Sequence, residues 1–164
     1  MLVGDGSYLM MAQEIVTSLQ ESYRMIIVLV DNHGFASIGG LSQASGSSGF
    51  GTQYRYRRDG ALAGEPLKVD FAANATSLGA CAKRVETREQ LEEALAAART
   101  QPQTSVIVVE TDYAECVPNY ESWRDVPIAE VSRMAAVQAA RSAYDEAKKR
   151  EGHFLAPERS RERA

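Results

Sequence analysis

Two stretches of this chain are apolar over consecutive positions: Met25-Ile26-Ile27-Val28-Leu29-Val30, and Val106-Ile107-Val108-Val109 between Ser105 and Glu110. Strands that alternate have one wet face, whereas unbroken Val/Ile/Leu runs mark strands covered on both faces, as in a parallel sheet. Ahead of the first run, Leu9, Ala12, Val16 and Leu19 recur at helical spacing, and Met11 and Ile15 widen the stripe. Gln13, Glu14, Thr17, Gln20 and Glu21 fill the opposite side, which predicts an amphipathic helix lying on a sheet. Earlier still, Met1-Leu2-Val3 is a short apolar run that stops at Gly4-Asp5-Gly6, a predicted tight turn, with Ser7 placed to cap the helix. Strand, helix and strand make one crossover unit.

From position 34 to 64 the chain is rich in Gly and Ser, including Ser45-Gly46-Ser47-Ser48-Gly49, and periodicity fades. Such a stretch reads as a mobile or active-site loop. Order returns at Asp70, a cap for a helix that runs to Leu78 and stops at Gly79. Residues 80–85 form a short predicted strand, and Thr87-Arg88-Glu89-Gln90 is a capping box opening a helix that runs to Arg99. An Ala-rich helix spans about 132–150, and the charged residues 151–164 read as a frayed tail. The expected architecture is α/β, a doubly wound and mostly parallel sheet in one domain over residues 1–150.

Composition narrows the field without naming a function. Among 164 residues, 45% are hydrophobic and 24% charged, ordinary for a globular domain, and the net charge of −4 argues against a general nucleic-acid binder. No apolar run approaches the roughly 18 residues of a membrane span, and no signal-peptide pattern opens the sequence. The expectation is therefore a cytoplasmic protein with no membrane partner. Cys81 and Cys116 stand alone, outside any metal-ligand spacing, and read as buried, reduced thiols.

The chemistry gathers where two strands end. Ligands of open parallel sheets bind beyond the carboxyl ends of the strands. Asp5 follows the first predicted strand and Asp31-Asn32-His33-Gly34 follows the next. If these strands are neighbours, about 4.8 Å apart, residues at both ends reach one ion. Asp5 offers a carboxylate, Asn32 an amide carbonyl and Gly34 a main-chain carbonyl, and three hard oxygens suit Mg2+. Gly6 has no Cβ, so a diphosphate can approach the main chain there, with the amides of Gly6, Ser7 and Tyr8 as donors.

Gly4-Asp5-Gly6, a helix, a buried strand and then Asp31-Asn32, 27 positions on from Asp5, together resemble the motif of thiamine-diphosphate enzymes. The resemblance assigns Asp5, Asn32 and the Gly34 carbonyl to Mg2+. It places the cofactor against Gly4, Asp5, Gly6, Ser7, Tyr8, Asn32, Gly34 and Phe35. Asp31 stands where many members carry a first Asn, a position that does not bind the metal. Within that family, several stretches look like the trihydroxycyclohexane-1,2-dione hydrolases of inositol catabolism. They include Gly4-Asp5-Gly6-Ser7-Tyr8-Leu9-Met10-Met11, Asp31-Asn32-His33-Gly34-Phe35, Phe50-Gly51-Thr52, Tyr54-Arg55-Tyr56-Arg57, Val69-Asp70-Phe71-Ala72-Ala73-Asn74-Ala75 and Tyr120-Glu121-Ser122-Trp123. The implied activity is cleavage of a carbon–carbon bond that opens a cyclic dione to a deoxyglucuronic acid.

In that family the glutamate that activates the cofactor comes from a separate pyrimidine-binding domain, usually on a neighbouring subunit, and no residue here matches it. Glu14 and Glu21 lie on the polar helix face. The expectation is a C-terminal piece of a longer polypeptide, working as a homo-oligomer and inactive alone. An acetolactate-synthase-like carboligase and a non-catalytic cofactor-binding module remain as alternatives. His33 is expected to hydrogen-bond locally, His153 to be solvated, and Met10 and Met11 to pack in a core or an interface. Tyr54-Arg55-Tyr56-Arg57-Arg58 suggests a substrate-side loop or a subunit contact rather than nucleic-acid binding.

Overall fold

The computed structural model describes residues 1–49, 51–112, 115 and 127–150. Phe50, Cys116, Tyr120-Glu121-Ser122-Trp123, His153 and the tail at 151–164 lie outside the described residues. The elements in chain order are β1 (Leu2–Gly4), α1 (Asp5–Met11), α2 (Glu14–Gln20), β2 (Ile26–Asp31), α3 (Ala36–Ala44), α4 (Phe71–Ser77), β3 (Cys81–Val85), α5 (Arg88–Ala98), β4 (Ser105–Glu110) and α6 (Ala135–Arg150). The four strands form one sheet in the order β1-β2-β4-β3, and every pairing is parallel. The chain divides into two compact units, one of Met1–Gly40 with Gly49–Cys116, the other of Leu41–Ser48 with Val117–Ala164. The sheet belongs to the first; α6 belongs to the second.

Both faces of the sheet are covered, as the unbroken apolar runs require. Ile27, Leu29, Val106 and Val108 point to one side, into a cluster with Tyr8, Ile15, Phe71 and Ala75 of the flanking helices. Ile107 and Val85 point to the other, against Ala94 and Ala98 of α5. Fully burying a side chain such as Leu29 or Phe71 stabilises the fold by about 1.5–3 kcal/mol. The predicted caps are present: Asp70 Oδ1 accepts from Ala73 N at 2.9 Å, and Thr87 Oγ1 accepts from Gln90 N at 3.2 Å. Gln90 returns its side chain to Glu86 N rather than to the cap residue itself. Gly79, at φ +96°, closes α4 in the left-handed conformation that glycine reaches without strain.

Three expectations change. The first helix is two helices: α1 starts at Asp5 directly after β1, so Gly4 is its cap residue and Ser7 lies inside the first turn. Consequently Ile15, Ala12 and Leu19 of the predicted stripe face the core together with Tyr8 and Ser18, while Leu9, Met10, Met11 and Val16 are exposed. Secondly, the Gly/Ser-rich stretch is not an open loop. It holds α3 and then a hairpin-like return, with bridges Gly34↔Gln53, Arg55↔Pro66 and Arg58↔Ala61. Thirdly, Cys81 is only partly buried, and its Sγ accepts from Gln103 Nε2 at 3.1 Å.

In the second unit, Gly46 (φ +82°) lies against the main chain of Ala136 and Val137, where a Cβ would stand 2.6 Å from the Ala136 carbonyl oxygen. Arg141 of α6 donates to Ile128 O at 2.9 Å and pairs with Asp145. No described helix is long and apolar enough to cross a membrane.

Candidate metal centre

β1 and β2 are adjacent and in register from Leu2↔Val28 to Gly4↔Val30, so Asp5 and the turn after Asp31 leave the sheet side by side. Asp5 is fully buried. Its Oδ1 accepts from its neighbour's amide, Gly6 N, at 2.9 Å, and its Oδ2 accepts from Gly34 N at 2.8 Å. These bonds orient the carboxylate and leave acceptor capacity on both oxygens. The glycine at 34 is required sterically, since a Cβ there would strike the carbonyl oxygen of Thr52.

Asn32 completes the group. With its amide nitrogen turned inward, the side chain donates to Gly34 O at 2.9 Å and to Asp5 Oδ1 at 3.0 Å. With its carbonyl oxygen turned inward, oxygens of three residues stand at those separations with no proton between them. An octahedron with metal–oxygen bonds of about 2.1 Å places neighbouring ligand atoms about 3.0 Å apart, the spacing Mg2+ demands. The donor set therefore fits Mg2+, with the remaining positions left for phosphate and water. Among the described residues no three His, Cys, Asp or Glu side chains gather in a group that could hold a metal ion.

The electrostatics agree with the geometry. Burial pushes the Asp5 carboxyl up from its ordinary value of 3.8, the Gly34 and Gly6 amides oppose that, and the neighbouring Asp31 carboxylate adds to it. Two buried carboxylates side by side favour a cation between or beside them. Tyr54, whose hydroxyl is buried with no hydrogen-bond partner, is pushed up to about 12 by burial first and then by Asp5 and Asp31.

The expected cofactor residues divide into two sets. Ser7 is exposed at the start of α1, Gly4 caps that helix, and Phe35 follows Gly34. Gly6 and Tyr8 also make contacts within the fold. A Cβ at Gly6 would stand 2.6 Å from Phe35 Cδ1, so the glycine makes room for an aromatic wall. With Gly4 as the cap, the Tyr8 amide is bonded within the helix, and its hydroxyl donates to Asn74 Oδ1 at 2.8 Å inside the core. Ser7 keeps a free first-turn amide and a hydroxyl.

His33 stands between the two β2-side donors at φ +59°, a left-handed conformation that costs a side-chain-bearing residue about 1–2 kcal/mol. Its Nδ1 is 3.3 Å from Asp31 Oδ1, its Nε2 is 3.2 Å from Glu110 Oε1, and Glu110 Oε2 accepts from Arg84 at 2.7 Å. Sequence reasoning missed Glu110 and Arg84. Their only signal is that β4 and β3 end level with β2, which strand order alone reveals. A cleft of about 620 Å3 opens there, lined by His33, Lys68, Arg84 and Glu110 among others.

A family model described as "Thiamine pyrophosphate enzyme, C-terminal TPP binding domain" matches residues 1–109. The chain belongs to this family. Among curated relatives, this TPP-binding domain is 43% identical over 141 residues to 3D-(3,5/4)-trihydroxycyclohexane-1,2-dione hydrolase 2 of Bacillus cereus, covering 85% of the chain and 22% of that protein. The same identity and coverage hold for the hydrolase of Bacillus thuringiensis (strain Al Hakam). The chain thus spans about a fifth of the length of these relatives. Among solved structures, benzoylformate decarboxylase from Polynucleobacter necessarius is similar at TM-score 0.59 and 27% identity, over 72% of this chain and 20% of that one. A 4-hydroxybenzoylformate decarboxylase of Rhodococcus jostii RHA1 matches at TM-score 0.54 and 21% identity over 68% of this chain and 19% of that one, a likeness of fold.

Proposed function

We propose that this TPP-binding domain is the diphosphate- and Mg2+-holding part of an enzyme that opens the ring of trihydroxycyclohexane-1,2-dione by carbon–carbon cleavage, a step of inositol breakdown. The observation that carries the metal reading is the Asn32 amide, seated 2.9 Å from Gly34 O and 3.0 Å from Asp5 Oδ1. Asp5, Asn32 and Gly34 O hold the ion. Ser7, with its first-turn amide and hydroxyl, faces the diphosphate that supplies the ion's outer ligands. Phe35, pressed on Gly6, keeps water from the inner side of the donors. When bound, thiamine diphosphate supplies the carbon nucleophile and the electron sink for bond cleavage.

The choice of substrate rests on similarity: 43% identity to the dione hydrolases over most of the chain, against 27% to a decarboxylase. Both polar signs in the cleft beside His33 suit a hydroxyl-rich molecule. The glutamate that activates the cofactor is supplied by a pyrimidine-binding domain of the same or a neighbouring subunit, in a homo-oligomer, and these 164 residues alone are inactive. The test is ring opening of the dione by the chain combined with such a domain, Mg2+ and cofactor, beside assays for acetolactate formation and benzoylformate decarboxylation. Dione opening alone is expected; turnover of either rival substrate in its place refutes the assignment.

A further inference from the structure

The turn that delivers two of the three metal donors is held open by a residue in an unfavourable conformation. Asn32 and Gly34 both face Asp5, and His33, between them, adopts φ +59°. A β-carbon makes this conformation costly, so surrounding contacts must select it. The main chain supplies two: His33 N donates to Asp31 Oδ1 at 3.2 Å, and Tyr54 N donates to His33 O at 3.2 Å. The side chain supplies the rest. The ring lies between two carboxylates, with Nδ1 3.3 Å from Asp31 Oδ1 and Nε2 3.2 Å from Glu110 Oε1. Glu110 is in turn fastened through Oε2 to Arg84 at 2.7 Å. Asp31, Glu110 and Arg84 come from β2, β4 and β3, and the register Asp31↔Glu110 and Arg84↔Val108 brings their ends together.

We infer that Glu110, steadied by Arg84, is a positioning residue for the metal centre: it clamps the His33 ring and so keeps the left-handed turn that aims Asn32 and the Gly34 carbonyl at the ion. This rests on the Mg2+ reading of Asp5, Asn32 and Gly34 O. Neither Glu110 nor Arg84 touches the donors themselves. Their effect passes through one main-chain conformation, which makes it separable from a general loss of stability. Glycine takes φ +59° without a side chain to hold it. A clamp on His33 is therefore redundant once His33 is glycine.

The experiment measures Mn2+ binding by electron paramagnetic resonance, with inorganic pyrophosphate present, for the 164-residue chain. The pairs involved are partly exposed, so Glu110→Ala is expected to weaken binding about three- to tenfold. Glu110→Gln retains an acceptor for the ring and is expected to keep most of the affinity. In a His33→Gly background, Glu110→Ala is expected to change nothing further. Unchanged affinity in Glu110→Ala, or an equal fall in both backgrounds, overturns the inference. Hydrogen exchange at the Gly34 amide, which is bonded to Asp5 Oδ2, reads the turn without metal. Glu110→Ala should speed that exchange in the parent and not in the His33→Gly background. A parent that binds no Mn2+ refutes the metal reading, while equal acceleration in both backgrounds refutes the clamp.

Discussion

At the scale of single residues the site turns on a buried carboxylate. Burial raises the Asp5 carboxyl above 3.8, so in the metal-free chain its protonated form is the one the fold favours. That contribution to stability is complete below pH 3.8 and is lost as pH rises through the raised value. In the proposed reading, Mg2+ reverses the cost by pairing with the ionised form. The thermal midpoint is therefore expected to rise with Mg2+ at neutral pH and to respond little in acid, and Asp5→Asn should abolish the response. Thermal melts of parent and variant with and without Mg2+ check this, and a retained Mg2+ shift in Asp5→Asn would remove Asp5 from the ligand set. Tyr54 follows the same sign at the other end of the scale. Its hydroxyl is pushed from 10.0 up to about 12, so its stabilising share is intact below pH 10 and lost as pH climbs through about 12. Tyr54→Phe should move alkaline unfolding to higher pH, and it removes a buried hydroxyl that has no partner. An unmoved alkaline midpoint, followed by circular dichroism, would contradict the burial of this group.

At the scale of elements, local chemistry and long-range contacts contribute differently. α5 begins where Thr87 satisfies a first-turn amide, so Thr87→Ala is expected to destabilise by about 1 kcal/mol, measured by urea unfolding. An effect within error of zero would mean that packing of Ala94 and Ala98 alone sets this helix. The return over residues 53–67 poses the opposite case. Tyr56 N bonds Glu65 O at 3.1 Å and Leu67 N bonds Tyr54 O at 2.7 Å, although the stretch shows no strand periodicity. Its register is set by docking on the metal turn, where Phe35 N bonds Thr52 O at 2.7 Å and Phe35 meets Tyr54 edge to face. Hydrogen exchange should find these amides slower than unbonded loop amides and faster than those of β2. Exchange as fast as an unstructured peptide would restore the open loop that the Gly/Ser content suggests.

At the scale of the whole molecule, half of a catalytic arrangement is visible. In the proposed reading the chain positions metal and diphosphate, and the cofactor-activating glutamate comes from a pyrimidine-binding domain. With Mg2+ and thiamine diphosphate supplied, the chain alone is expected to show no ring opening of the dione above background, and a pyrimidine-binding partner is expected to restore it. The readout is product formation at equal chain concentration with and without the partner. Turnover by the chain alone would require a base within these residues, and Glu110 beside His33 would then be the first group to examine.

The amino-acid sequence by itself determined the strands, the caps at Asp70 and Thr87, and the pairing of Asp5 with Asn32 and Gly34. Those features depend on local periodicity, on hydrogen bonds within one turn, or on a motif whose spacing spans a single strand–helix–strand unit. The tertiary structure decided what depends on facing partners. The Phe35 ring occupies the space a Cβ of Gly6 would take, a contact between residues 29 positions apart. Leu9, Met11 and Val16 fit a helical stripe with Ala12, Ile15 and Leu19, yet the break at Ala12-Gln13 leaves the first three exposed and buries Tyr8 beside Ile15. His33 and Glu110 lie 77 positions apart and meet because β4 pairs with β2, while β3 on its other side brings Arg84 to the same end. Strand order follows from which faces bury together across the whole sheet, a long-range balance that no short window of residues contains.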